Sequence, residues 1–156
     1  MSVCTFIASD YPLPEAAPSR EYPLCINIDS GEVFDRGADD NFFLHHFRDT
    51  TVYTDKKYGV WLEWNYTEGR AKKIINYIKD RLQFSDSLEL WHVWLMDYCE
   101  FEERPFVHRR IVSAEELTVE NIKEIDEAEI WNRHDRYYPE RPSFYCLTKS
   151  RKNPPY

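Results

Sequence analysis

Two apolar segments separated by one amphipathic segment constrain the fold of this chain most strongly. Residues 58–66 and 88–96 carry large apolar side chains at successive positions, so both faces of each predicted strand are apolar. Between them, residues 67–84 predict a helix with Thr67 as its N-cap. Its apolar residues recur at the spacing of one helical face: Ala71, Ile74, Ile75, Ile78 and Leu82. A single-helix crossover between two buried strands favours a parallel arrangement, so we expect this unit to organise a sheet.

Further strands are predicted on either side of this unit, because β-branched and aromatic residues are concentrated there. These segments are residues 2–8, 24–28, 106–112 and 144–148. Residues 32–35 are expected to pair with 24–28 across the turn at 29–31, since Asp, Ser and Gly favour turns. Segment 106–112 is expected to form a hairpin with segment 88–96.

A second helix is predicted to begin at Thr118, with Leu117 and Ile122 forming a hydrophobic staple around that cap. The segment 10–23 is predicted to be an extended surface loop, because proline removes backbone donors and breaks regular structure. Its prolines are Pro12, Pro14, Pro18 and Pro23. The tail at 150–156 is expected to be frayed.

The segment between the first strands and the central unit has a weaker pattern. Residues 42–47 are predicted as one helical turn, with Asp39 or Asp40 as its N-cap. Residues 50–53 are predicted as a short strand. Together these elements predict a single α+β domain over residues 1–156. We expect a mostly antiparallel sheet of about five to seven strands with two main helices packed on one face.

The charge of the chain restricts its partners. The formal net charge is -8, whereas nucleic acids and anionic membranes are bound by cationic surfaces. We therefore expect neither of these ligands, and an acidic surface favours a basic protein partner instead. The sequence has no apolar window of about 18 residues and no basic, apolar N-terminal signal, so we expect a cytosolic protein.

The cysteines predict no disulfide and no metal centre. They are widely separated and form no C-x-x-C pair, which a zinc site would usually contain. The four residues are Cys4, Cys25, Cys99 and Cys146. Each lies in or beside a predicted strand, so we expect reduced, buried thiols that act as small apolar side chains.

No nucleophile or nucleotide motif is present. The sequence lacks G-x-S-x-G and a glycine-rich phosphate loop, and only four glycines occur in the chain. No cofactor is expected. The pair His45–His46 lies near Asp39, Asp40 and Asp49, which are suitable ligands for a divalent metal. Adjacent residues face different directions in a helix or a strand, so a structural or surface role is favoured for the two histidines.

Three further titratable residues lie in the central strands: Glu63, Glu89 and His92. His92 is interpreted as a core histidine that is hydrogen-bonded to a backbone carbonyl or a tyrosine, with a general base as the alternative. A carboxylate flanked by apolar residues must be paired, exposed at an edge or functional. If the three side chains converged, they would supply the acid and base groups of a hydrolytic site in a tryptophan-lined pocket.

Tryptophans are the strongest candidates for a binding surface, because a small core cannot hold an aromatic content of 16%. Trp61, Trp64, Trp91 and Trp94 form two W-x-x-W pairs, so the rings of each pair point to opposite faces of the sheet. One face is expected to be covered by helices, and the other to present one tryptophan from each strand. The alternative is that both faces are covered and all four rings belong to the core.

The second helix is acidic and is a candidate surface for a basic partner. Its candidate binding residues are Glu120, Glu124 and Glu127. The leading hypothesis is therefore a non-enzymatic, bacterial-type protein-binding module that docks a basic protein partner, such as an immunity- or antitoxin-like inhibitor of a toxic nuclease. The rival is a small-molecule-binding or hydrolytic domain that uses Glu63, Glu89 and His92. A third hypothesis is a homodimer joined across a free sheet face or edge.

Overall fold

The computed structural model of this protein describes residues 3–22, 24–31, 33–34, 37–94, 109–126 and 144–148. Their strands are β1 (Val3–Ser9), β2 (Cys25–Ile26), β3 (Val33–Phe34), β4 (Phe42–His46), β5 (Tyr58–Trp64), β6 (Ser87–Trp94), β7 (Arg109–Ser113) and β8 (Phe144–Thr148). Their helices are α1 (Thr50–Tyr53), α2 (Glu68–Arg81) and α3 (Val119–Asp126). Helices interrupt a largely antiparallel set of strands, so the predicted α+β class is confirmed.

The main sheet has the strand order β4-β5-β1-β6-β8-β7, and β2 pairs with β3 in a separate two-stranded sheet. Its first four strands are antiparallel to their neighbours. Strand β8 is antiparallel to β6, whereas β7 is parallel to β8. The predicted hairpin between segments 88–96 and 106–112 is therefore wrong, because β8 lies between β6 and β7.

Strand β1 is the inner strand of the antiparallel core. Phe6 pairs with Trp61 of β5 on one side and with Trp91 of β6 on the other. Because β5 and β6 are each antiparallel to β1, they run parallel to one another, as the α2 crossover predicted, but they are not adjacent. All side chains from Cys4 to Ser9 are buried, since both faces of β1 are covered.

One face of the sheet carries the larger core. Ile7, Leu62 and Leu90 face α2 and α3 there, in one continuous cluster. The predicted inner face of α2 is confirmed, although the helix ends at Arg81 rather than at 84 and Leu82 is its C-cap. All of the predicted apolar residues are buried: Ala71, Ile74, Ile75, Ile78 and Leu82. The predicted N-cap is confirmed too, since Thr67 Oγ1 accepts a hydrogen bond from the Arg70 amide at 3.1 Å.

The start of α3 also agrees with its predicted cap. Leu117 and Ile122 are both buried in the larger core, as expected of a hydrophobic staple. The Asn121 side chain accepts a hydrogen bond from the Thr118 amide at 2.9 Å. In α3 the side chain inside the helix therefore bonds back to the cap residue, whereas in α2 the side chain of the cap residue accepts from the helix. Local sequence signals thus define both long helices.

The opposite face carries a smaller, mainly aromatic cluster. The Phe6 ring lies 4.6 Å from Phe47 and 5.8 Å from Trp91 between centroids, and the Trp91 ring is parallel to it. Tyr53 of α1 packs on the same cluster. The rings of Phe6, Phe47 and Trp91 are buried on this face, so aromatic residues contribute to a second core.

Segment 42–53 contradicts two predictions. Residues 42–46 form strand β4 rather than a helical turn, because pairing with β5 places Leu44 opposite Leu62 in the larger core. Residues 50–53 form the short helix α1 rather than a strand. The Thr50 hydroxyl donates to the Phe47 carbonyl at 2.8 Å, which folds this segment back over the sheet.

The proline-rich segment runs along the outer edge of β4. Ala16 and Leu44 exchange both backbone hydrogen bonds, at 3.1 and 2.9 Å. Pro14 and Pro18 stand two residues on either side of Ala16 and lack the amide that a longer ladder needs. The Tyr77 hydroxyl donates to the Pro14 carbonyl at 2.7 Å and ties this segment to α2. The edge strand is therefore covered without being extended into a full additional strand.

None of the described helices combines the length and the apolar character that crossing a membrane requires.

Candidate functional site

A hairpin made of β2 and β3 forms an arm with its own two-stranded sheet. Its turn is shaped by Asn27, whose side-chain oxygen accepts from the Asp29 amide at 3.0 Å and whose carbonyl accepts from the Gly31 amide at 2.7 Å. Gly31 has a φ of 71°, which glycine adopts without the steric cost of a side chain. Segments 24–28 and 32–35 were predicted to pair, and the pairing of Cys25 with Phe34 confirms it.

The arm exposes three aliphatic side chains. Leu24 is 66% exposed, Ile26 is 65% exposed and Ile28 is 93% exposed. Leu24 and Ile26 share one face of the hairpin by strand alternation, and Ile28 begins the turn beyond them. A short two-stranded hairpin gains little stability from its own contacts, so the solvent-exposed aliphatic groups at these alternate positions form a candidate interaction surface.

The base of the arm is anchored by Asp40. Its carboxylate accepts hydrogen bonds from the Ser19 hydroxyl at 2.6 Å, the Ser19 amide at 3.0 Å and the Tyr22 hydroxyl at 2.5 Å. These bonds, above all the one from the Ser19 side chain, hold the pKa of Asp40 well below its usual range. The chain on the two sides of the hairpin is therefore joined at this carboxylate.

A groove of about 720 Å³ lies beside this anchor, between the proline-rich segment and the start of β4. It is lined by Ala17, Pro18, Arg20, Glu21, Tyr22, Asn41 and Phe43. The Arg20 guanidinium lies over the Tyr22 ring, 5.1 Å from its centroid. The groove thus joins aromatic and aliphatic surface to one cation and one carboxylate.

Phe43 connects the groove to three further side chains on β4 and β5. We call these four residues the aromatic block: Phe43, His45, Trp61 and Glu63. The His45 ring is parallel to Phe43 at 5.2 Å and tilted against Trp61 at 4.6 Å between centroids. His45 Nε2 lies 2.7 Å from Glu63 Oε2. The Glu63 side chain is 56% exposed, so the block presents a carboxylate beside half-buried rings.

The four predicted tryptophans have different environments. Trp61 is half-buried in the aromatic block, and Trp64 is half-buried on the opposite face, where its indole donates to Asp126 at 3.1 Å. Trp91 is 5% exposed and does not contribute to the surface. Trp94 ends β6 opposite Val3, and its side chain lies outside the described residues. The rings of the first pair point to opposite faces, as the strand spacing predicted.

Glu63, Glu89 and His92 are not brought together. Glu63 follows Leu62, the partner of Thr5, whereas Glu89 pairs with Ala8. About four residues along β1 and two strand spacings separate these carboxylates, roughly 16 Å. His92 faces the helix side of the sheet, opposite to both. The acid–base pocket anticipated as a rival function is therefore not formed by these side chains.

Glu89 and His92, the two buried residues of this set, are hydrogen-bonded to neighbouring side chains rather than to one another. Glu89 accepts from the Trp91 indole at 3.0 Å and from the Thr54 hydroxyl. His92 Nδ1 is hydrogen-bonded to the Thr5 hydroxyl at 2.5 Å, a threonine rather than the expected carbonyl or tyrosine. Burial lowers the pKa of His92 to about 4, so the ring is neutral at pH 7.

The acidic helix exposes two of its three candidate residues. Glu120 and Glu124 are exposed on α3, and Glu127 lies outside the described residues. Glu124 is paired with Arg110 of β7 at 3.2 Å. This pairing partly neutralises the helix, so the candidate acidic surface is interrupted by a cation of the edge strand.

The histidine pair is split between two environments. His45 belongs to the aromatic block, whereas His46 is exposed and its amide donates to the Glu15 carboxylate at 3.4 Å. Within the described ranges, no three His, Cys, Asp or Glu side chains form a group that could hold a metal ion. Cys4 is a buried free thiol, and burial raises its pKa to about 12.

Sequence reasoning missed the exposed arm and the groove at its base. Only a short strand was predicted at 24–28, where apolar residues at 24, 26 and 28 alternate with smaller or polar ones. The signal that separates an arm from a core strand is the short partner segment at 32–35, since so few paired residues cannot cover an aliphatic face.

No protein-family model, curated protein or solved structure matches this chain.

Proposed function

We propose that this chain is a protein-binding module that docks a basic partner through the exposed arm. The observation that carries the proposal is the exposure of Leu24, Ile26 and Ile28 on a hairpin outside the main sheet. Solvent-exposed aliphatic groups of this kind are covered favourably by a partner, because burial removes apolar surface from water.

Charge around the arm supports a basic partner. Residues 20–40 contain six acidic and two basic side chains, and the whole chain has a net charge of -8. The acidic residues are Glu21, Asp29, Glu32, Asp35, Asp39 and Asp40, and the basic ones are Arg20 and Arg36. An aliphatic stripe with an acidic rim complements an apolar groove with a basic rim. An immunity- or antitoxin-like inhibitor of a basic nuclease fits this description by analogy of type.

In this proposal the two main helices pack on one face of a sheet of about five to seven strands. The partner then approaches from the arm, next to the aromatic face and the β4 edge. The helices position the sheet and do not bind.

The test is co-purification from the native host at low and high salt, followed by mass spectrometry and affinity measurement with the purified partner. We expect one stoichiometric basic protein that is released at high salt, because screening weakens charge complementarity. The double variant Ile26→Ser/Ile28→Ser should lose the partner. Ile111→Ser is the matched control, since Ile111 is 67% exposed on β7, outside the arm.

Two results would contradict the proposal. Undiminished affinity in the arm variant would show that the aliphatic stripe is not the contact. Equal loss in the Ile111→Ser control would assign the effect to general surface hydrophobicity rather than to the arm.

A further inference from the structure

We infer that the aromatic block is a subsite for an arginine side chain of the partner. This inference rests on the proposed function and names the chemical group that the partner brings to the surface beside the arm. It is carried by the geometry of Phe43, His45, Trp61 and Glu63, which form a two-by-two group on adjacent strands. Phe43 also lines the groove, so the block and the groove are continuous.

The block supplies both contacts that a guanidinium uses. Trp61 and Phe43 are aromatic surfaces on neighbouring strands, half-buried and 36% exposed respectively. A guanidinium stacks on such rings and donates in a planar fork to a carboxylate. Glu63 is the exposed carboxylate within reach of both rings.

Glu63 keeps acceptor capacity beyond its bond to His45. The histidine contacts one oxygen, Oε2, whereas a carboxylate offers about four lone-pair positions over two oxygens. A side chain from the partner can therefore bind the second oxygen without displacing His45. His45 fixes the carboxylate beside the rings, which lowers the entropic cost of binding.

The groove provides a path for the backbone that carries this arginine. A partner strand cannot simply extend the sheet here, because Leu44 is already bridged to Ala16 and the Phe42 amide donates to the Asp40 carbonyl at 2.9 Å. Binding therefore depends on side chains rather than on an added strand. Arg20 and Glu21 both line the groove, so their opposite charges offset one another. Glu63 is then the carboxylate that attracts a cation from the partner.

The test uses the peptide acetyl-Gly-Arg-Gly-Arg-Gly-amide, titrated into the full chain labelled with ¹⁵N. The Trp61 indole N–H resonance is identified with the Trp61→Phe variant and then followed by NMR. We expect a saturable shift of that resonance. A peptide with citrulline in place of arginine keeps the planar shape without the charge and should bind about tenfold more weakly or worse.

Two variants localise the contact. Glu63→Gln keeps the size of the side chain and should weaken binding of the arginine peptide by about tenfold. Glu116→Gln removes an exposed carboxylate between β7 and α3 and should leave the titration unchanged. Equal weakening in the two variants would assign binding to the general acidity of the surface and overturn the inference.

Other outcomes also decide it. Absence of a saturable Trp61 shift would overturn the subsite, and a lysine peptide that binds as tightly as the arginine peptide would overturn the assignment to a guanidinium. The arm variant Ile26→Ser/Ile28→Ser should titrate like the parent chain. The arm and the subsite can therefore fail separately, because the partner assay reports on the first and the peptide assay on the second.

Discussion

The hydroxyl of Thr50 occupies the space that a side chain at Gly59 would need. A Cβ atom at Gly59 would overlap Thr50 Oγ1 and lie 3.0 Å from Thr50 Cβ. Thr50 is buried and its hydroxyl is held by the Phe47 carbonyl, so it has little freedom to move. The absence of a side chain at Gly59 therefore lets α1 lie directly on the sheet and bring Tyr53 to the aromatic cluster.

Replacing Gly59 by alanine should destabilise the protein by about 1–3 kcal/mol, the usual cost of overpacking. Urea denaturation measures the free energy of unfolding. In a Thr50→Ala background, the added Gly59→Ala substitution should cost less, because the clashing hydroxyl is gone. Equal costs in the two backgrounds would mean that this contact does not limit the packing of α1.

Arg70 is a buried cation whose removal should be costly. Its side chain is fully buried and donates to the Ala38 carbonyl at 2.9 Å and to the Asn65 carbonyl at 2.7 Å. Arg70→Met should lower the free energy of unfolding by about 3 kcal/mol, because the Ala38 and Asn65 carbonyls lose the donors that a buried cation supplies. The stability of Arg70→Lys should lie between that of the parent chain and that of Arg70→Met, because lysine keeps the charge but lacks the planar fork of donors.

The matched control for Arg70 is Lys72→Met, an exposed cation two residues further along α2. Its effect in the same urea experiment should stay within about 0.5 kcal/mol. A similar loss in both variants would attribute the effect to net charge rather than to the bonds of Arg70.

Burial of neutral His92 should make stability depend on pH. Because burial lowers the pKa of His92 from 6.5 to about 4, the unfolded chain binds a proton in this interval that the folded chain does not. The stability associated with this residue is therefore complete above pH 6.5 and is lost as the pH falls towards 4. The loss is on the order of 3 kcal/mol.

The measurement is urea denaturation of the parent chain and of His92→Asn across this pH interval. The variant cannot titrate at position 92, so its stability should fall less steeply with acid. Asp40 affects stability at lower pH than His92 does. Because folding lowers the pKa of Asp40, the stability that this residue contributes is kept above about pH 4 and is lost only below it. Parallel pH profiles for parent and variant would rule out His92 as the titrating group.

Glu89 should act as a hydrogen-bond acceptor rather than as a required charge. Glu89→Gln keeps an oxygen for the Trp91 indole and the Thr54 hydroxyl, so it should have a small effect on stability. Glu89→Leu removes that oxygen and should cost about 2 kcal/mol. Thermal unfolding followed by tryptophan fluorescence separates the variants. A large loss for glutamine would show that the buried charge itself is needed.

The two longer helices, α2 and α3, could be predicted because their signals are local, whereas the short helix α1 was predicted as a strand. The Thr67 cap requires only the amide of Arg70 three residues later. The inner face of α2 follows from the spacing of the apolar residues within the helix itself. The candidate site was predicted only in part. Trp61 lies in it, but Leu24, Ile26 and Phe43 were not candidates, because exposure depends on what the rest of the chain leaves uncovered.

The sequence alone determined the β5-α2-β6 unit, the parallel direction of its two strands and the opposite orientation of Trp61 and Trp64. These features follow from backbone geometry within short segments. Only the tertiary structure decided that β1 lies between the two strands, and that residues 42–46 join the sheet as β4. Strand partners are distant in sequence, and hydrogen bonds across a sheet are made with whichever strand buries its side chains best. The same physics left the arm outside the core, since among the described strands none pairs with β2 and β3 as a third.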